Sequence, residues 1–181
     1  SFEEVRLERI ADLGRWGAGI LRDEGIGGPL EKAGGGFMMR NLMYEAFMLL
    51  AESLALDIAE PIFTTDPVVA KERRARPDYV VEPGTVVGCD RRLAADVRGG
   101  GRLVSLWRGR FALDPVADGM VGSARVVVTG DPDFDVTIAG PVFDDGYPST
   151  AARALAAVRP LRALPPGLHT IDEVGQRPSW L

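Results

Sequence analysis

Over the first ten residues Val5, Leu7 and, less regularly, Ile10 alternate with Glu4, Arg6 and Glu8. That period of two marks a half-buried strand, with a helix starting near Glu3 as the competing reading. The next stretch, 14–36, breaks every period: it carries nine glycines and leaves room only for a short helix around Trp16–Asp23. Loops this long in a small domain are usually functional. Phe37–Leu56 then runs without Gly or Pro and is rich in good helix formers, so it predicts a long helix. At 100° per residue Asn41, Glu45 and Glu52 cluster on one side, while Arg40, Tyr44, Phe47 and Ala51 share another, otherwise apolar, side. A helix apolar over most of its circumference needs a sheet on one side and further cover on the other.

From Ile58 the texture changes. Ile58–Thr64, Val80–Val87, Arg91–Val97, Leu103–Leu113, Ala124–Thr129 and Asp135–Ala139 are rich in Val, Ile, Thr or aromatics and are separated by turn residues. Arg98-Gly99-Gly100-Gly101-Arg102 and Gly130-Asp131-Pro132-Asp133 read as hairpin connections, and short links between successive strands predict antiparallel pairing. Ser149 is placed to cap a second helix, Thr150 to about Val158, which Pro160, Pro165 and Pro166 should keep short. In the tail, Ile171, Val174 and Trp180 call for a covering surface. The expectation is an α+β fold: a single domain over 1–181, with a mixed, mostly antiparallel sheet and the helices Phe37–Leu56 and Thr150–Val158 packed on one face.

Composition narrows the chemistry. With 181 residues, 46% of them hydrophobic, the chain can bury a core. Its 21 basic and 26 acidic residues form no long like-charged run, which argues against a nucleic-acid binder. One cysteine, Cys89, and one histidine, His169, leave no disulfide framework and no expected metal site. The longest apolar stretch is interrupted by Arg40, Asn41, Glu45, Glu52 and Ser53, so no membrane span is expected. A cytoplasmic, soluble protein follows as the expectation.

Among candidate sites, Gly25-Ile26-Gly27-Gly28-Pro29-Leu30 has no strand before it and is spoiled as a G-x-G-x-x-G dinucleotide fingerprint by Pro29-Leu30 at its end, and no P-loop Lys-Ser/Thr follows Gly34-Gly35-Gly36. No cofactor is expected on this chain alone. The glycines Gly34, Gly35 and Gly36 sit just ahead of the long helix, where unpaired first-turn amides and the helix dipole favour a carboxylate or carbonyl group; a purely conformational linker is the alternative. Arg40 and Tyr44, one turn apart beside Phe37, Met38 and Phe47, give a small apolar pocket two polar handles. Alternatively Arg40 extends to water and Tyr44 buries its ring. His169 reads as a loop residue, Cys89 as a half-buried inert thiol, and the acids at Asp131, Asp133, Asp135, Asp144 and Asp145 as turn residues.

Gly34-Gly35-Gly36-Phe37 opening an apolar helix, Pro83-Gly84-Thr85-Val86, Leu103–Phe111 with Trp107, Gly130-Asp131-Pro132, and Ser149-Thr150-Ala151 leading to Leu164-Pro165-Pro166-Gly167-Leu168 resemble the C-terminal half of dihydrodipicolinate-reductase-like oxidoreductases. More narrowly, they are similar to the branch containing 2,4-diaminopentanoate dehydrogenase and the native amine dehydrogenases. The resemblance implies a parent enzyme in which an N-terminal Rossmann domain binds NAD or NADP, while this half shapes the pocket for a small apolar or amine/carbonyl substrate and forms a homo-oligomer through its sheet face. Hydride would pass between the cofactor and an imine or amine carbon, and the Rossmann half is absent here, so this chain alone is not expected to catalyse. The His/Lys-rich reductase motif is not found, and Ala156 stands where a polar residue is looked for on the later helix. The expected site is Gly35, Gly36, Phe37, Arg40, Tyr44 and Phe47, with no catalytic residue and no metal. Two other classes stay open: a stand-alone small-molecule-binding or assembly module, and a small cofactor-free enzyme using a buried carboxylate such as Glu45.

Overall fold

The computed structural model describes residues 2–33, 36–140, 146–170 and 173–174. The alternating N-terminal segment is a strand, β1 (Phe2–Asp12), and the short helix α1 follows at Ala18–Asp23. The long helix α2 spans Phe37–Ser53. Next come β2 (Ile62–Val69), the small hairpin β3 (Arg74–Arg76) and β4 (Tyr79–Val81), then β5 (Val86–Asp96), β6 (Arg102–Arg110), the one-turn helix α3 (Pro115–Asp118), β7 (Ser123–Gly130), β8 (Phe134–Ala139) and α4 (Gly146–Leu161).

Six strands make one sheet in the order β2-β5-β6-β1-β7-β8. Every neighbour pair is antiparallel except β1 with β6, which run parallel from Glu4 opposite Arg102 to Asp12 opposite Arg110. Both expected hairpins form. Gly99, Gly100 and Gly101 all take positive φ (99°, 113° and 94°) between β5 and β6, a conformation that side chains resist. In the β7–β8 turn the Gly130 N–H donates to Asp133 Oδ1 at 2.7 Å.

Several boundaries differ from the sequence reading. Val80–Val87 is two strands, because Glu82–Thr85 makes a turn closed by Thr85 N–H on the Glu82 carbonyl (3.1 Å), with Gly84 at φ 84°. Ile58 forms only an isolated bridge to Val97, and β2 begins after Pro61 and runs through Pro67. Proline is tolerated there because β2 is an edge strand with one side free of ladder bonds. The last helix starts before Ser149, which therefore lies inside it and does not cap it, and Pro160 is held in its final turn, where one lost backbone bond matters least.

The core forms where α2 meets the sheet. Met39, Met43, Phe47 and Ala51, four residues apart, make one buried row that packs with Leu93 and Ala95 of β5 and Leu103 and Trp107 of β6. Each such large side chain removed from water stabilises the fold by about 1.5–3 kcal/mol. The same sheet face continues through Val5 and Leu7 of β1, opposite Val128 and Val126 of β7, to Phe134 and Val136 of β8. There it is bare: all six residues of β8 are exposed. The other face carries a ladder of charges, with Arg6 between Glu4 (3.3 Å) and Glu8 (3.0 Å), Arg125 on Asp135 (2.8 Å) and Arg102 on Asp96 (2.8 Å). The chain divides into two compact units, Ser1–Asp144, which holds the sheet and α2, and Asp145–Leu181, which holds α4.

Candidate functional site

The glycine-rich segment is built around backbone contacts. α1 ends at Glu24, Gly25 and Gly27 turn the chain at φ 78° and 74°, and a single 3-10 turn follows at Leu30–Lys32. Gly27 N–H donates to the Val86 carbonyl (2.8 Å), Val86 N–H donates to the Gly28 carbonyl (2.9 Å), and the Tyr79 hydroxyl donates to the Ile26 carbonyl (2.7 Å). The segment is therefore stitched to the head of β5. Its Gly27 amide is spent on that strand and only one helical turn follows, so this run does not fit a dinucleotide pyrophosphate, which needs free amides opening a helix.

Gly36 caps α2 at its N-terminus and is buried; Gly34 and Gly35 lie outside the described residues. Against Gly36 lies the carboxyl of Glu24, so close that a methyl group at this position would collide with it. Glu24 is ion-paired with Arg91 of β5, and the side chains are 2% and 1% exposed. The Arg91 guanidinium in turn sits 5.2 Å from the Trp107 ring centre, and Trp107 lies 6.0 Å from Trp16. A carboxylate of the protein's own thus lies beside this helix start, its Oε2 bonded to Arg91 and its Oε1 buried without a hydrogen bond among the described residues. Sequence reasoning missed the pair, because Glu24 and Arg91 are 67 residues apart and each sits in a context that reads as polar surface.

Of the residues read as a pocket, Phe37 is 73% exposed and Tyr44 42% exposed. Arg40 is exposed too, its guanidinium 5.7 Å from the Phe63 ring centre. These three share an open side of the N-terminal half of α2. Phe47 does not join them: it is 1% exposed and belongs to the core row with Met43 and Ala51. The buried row follows i, i+4 steps, which are inclined to the helix axis, so Arg40 and Tyr44 fall at its margin although the wheel groups them with Phe47. The outer side of α2 also exposes Leu42 and Met48.

The other candidates resolve individually. Glu45 is exposed on α2, so it is not the buried carboxylate that the cofactor-free alternative named. Cys89 is buried, and burial pushes its thiol up to about 11, against a smaller opposing pull from Arg91. His169 Nε2 donates to the Pro165 carbonyl at 2.7 Å, and Nδ1 lies 3.3 Å from Glu173, whose carboxyl is held low chiefly by the Thr170 N–H. Asp133 and Asp135 are engaged in the β7–β8 hairpin, while Asp144 and Asp145 lie outside the described residues, as do Ile171 and Trp180. Among the described residues no group of three His, Cys, Asp or Glu side chains is placed to hold a metal ion, and no helix is long and apolar enough to cross a membrane.

The family described as 2,4-diaminopentanoate dehydrogenase C-terminal domain matches residues 1–179. The chain belongs to that family. Among solved structures, that of an amine dehydrogenase from Mycobacterium smegmatis is similar to this chain, with a TM-score of 0.76 and 16% identity over 96% of the chain. The domain covers 51% of that protein, so it spans about half the length of this structural neighbour. No curated protein matches the chain. The shared fold fits the observed architecture of a mixed sheet under a long helix.

Proposed function

We propose that this domain is the substrate-gripping and assembly half of an NAD(P)H-dependent amine dehydrogenase or related reductase acting on an imine or amine carbon of a small apolar amine or carbonyl compound. The NAD or NADP is held by a Rossmann domain outside these 181 residues, in the cytoplasm where that cofactor pool lies. The observation that carries the reading is the family match over 1–179, taken with the open side of α2 that presents Phe37, Arg40 and Tyr44 beside the buried cap Gly36.

Hydride transfer requires the reacting carbon to lie about 3–3.5 Å from the nicotinamide. A domain that grips the substrate must therefore leave its site open toward the cofactor half. Phe37 and the Tyr44 ring supply the apolar wall and Arg40 and the Tyr44 hydroxyl the polar handles; Phe47 holds the helix from beneath, and the buried Gly36 is closed off by Glu24. Without the cofactor domain the chain does not transfer hydride, because orientation and electrostatics of the nicotinamide come from the protein around it. The exposed strand β8 pairs with a second copy through the sheet face.

Adding n-butylamine or butanone to the isotope-labelled chain should shift the Phe37 and Tyr44 resonances, and Tyr44→Ala with Arg40→Ala should abolish the shift. NADH and NADPH titrations should show no tight binding. Tight binding of either nucleotide, or no response to both small molecules, overturns the reading.

A further inference from the structure

We propose that Glu24 and Arg91 are positioning residues: a buried ion pair that fixes where α2 begins, and so where Phe37, Arg40 and Tyr44 stand. Its functional meaning rests on the reading of that helix side as a substrate wall. Glu24 closes α1, Arg91 lies in the middle of β5, and Gly36 opens α2. One contact therefore ties three elements together.

Gly36 has φ −58° and ψ 108°, a backbone conformation open to any residue, so conformational freedom is not the reason for glycine here. Space is: the Glu24 carboxyl occupies the volume a side chain would take. A carboxyl group has easy alternatives on a flexible surface. Here it has none, because it is buried with the guanidinium that neutralises it, and separating two buried charges is strongly unfavourable. The Trp107 face adds a further attraction for Arg91. α2 receives no side-chain cap from Gly36, so a carboxylate held near its first turn also complements the positive end of the helix dipole.

A double-mutant cycle tests this in the 181-residue chain, read by amide hydrogen exchange at Arg40–Met43, the first amides that α2 bonds internally, and, as internal control, at Leu93 and Leu103. Gly36→Ala should speed exchange at Arg40–Met43 at least tenfold while the strand amides change far less. Adding Glu24→Ala should relieve the collision, so that the double variant exchanges no faster than Glu24→Ala alone. Should Glu24→Ala fail to fold, Glu24→Gln and Arg91→Lys serve: each should loosen the same amides and weaken the n-butylamine response several-fold with an unchanged far-ultraviolet circular dichroism spectrum. Additive effects in the cycle, or faster exchange spread evenly over helix start and strands, overturn the positioning role. A coupled cycle in a chain that ignores n-butylamine overturns the pocket reading and leaves the pair standing.

Discussion

At the scale of single residues, burial decides chemistry more than residue type does. Cys89 is the only thiol, and with its pKa pushed up to about 11 it is almost wholly protonated near neutrality. Timed iodoacetamide labelling at pH 8, followed by mass spectrometry, should modify it more than a hundredfold more slowly than in the urea-unfolded chain, since the thiolate is the reactive form and an ordinary thiol ionises near 8.5. The sign for stability follows: between the ordinary thiol value and about 11 the unfolded chain loses a proton that the folded one keeps, so this group makes stability fall as pH rises through that window. Asp114 behaves oppositely. It caps α3 by accepting from Val116 N–H (2.8 Å) and Ala117 N–H (3.1 Å), and those bonds, Ala117 first, hold its carboxyl below the usual aspartate value. Its contribution is therefore complete above that value and lost as pH falls through the lowered one. Asp114→Asn keeps an acceptor and should flatten that acid-side loss in a pH series of urea melts; an identical acid limb in the variant contradicts the cap's role. Neither Glu24 nor Arg91 was legible in the same way, because a buried ion pair leaves no periodic trace. Its partners lie on a helix end and a strand, each flanked by residues that look equally exposed.

At the scale of elements, α2 was readable and its packing was not. Freedom from Gly and Pro gave its start at Phe37 and placed its end within three residues of Ser53, but a helix apolar nearly all round leaves the buried row ambiguous between neighbouring faces. Only contact with β5 and β6 selects Met39, Met43, Phe47 and Ala51. Phe47→Ala should therefore lower unfolding stability by about 3–5 kcal/mol, whereas Phe37→Ala, a change at an exposed ring, should stay within about 0.5 kcal/mol. Urea unfolding of the two variants side by side checks the assignment, and equal losses contradict it. Both hairpin turns were readable because glycine and aspartate mark reversals locally. The β3–β4 hairpin was not, since Arg74–Arg76 offers three residues, two of them charged, and no alternation to read.

At the scale of the molecule, the predominance of antiparallel pairing followed from short links, yet the strand order did not. Nothing local announces that β1 lies between β6 and β7, because that placement is set by which faces can be buried together. The two edges of the sheet also differ. β2 carries Pro67 and a register shift at Val68/Val69, features that discourage further pairing. The β8 margin shows Phe134, Val136 and Ile138 at 51%, 41% and 59% exposure. If that apolar margin pairs with a second copy, wild type should sediment as a dimer and Val136→Lys as a folded monomer; a wild type that stays monomeric at every concentration removes the assembly part of the proposal.

The parallel seam between β1 and β6 has a consequence for how the molecule comes into being. Phe2–Asp12 can find its neighbours only after roughly a hundred later residues have been made, so on the ribosome this strand must wait, half-apolar and unpaired, while α2 and the β5–β6 hairpin take shape. Non-local closure of this kind slows folding, so the assembly rate of this sheet is set by a long-range seam, whatever the speed of its local hairpins.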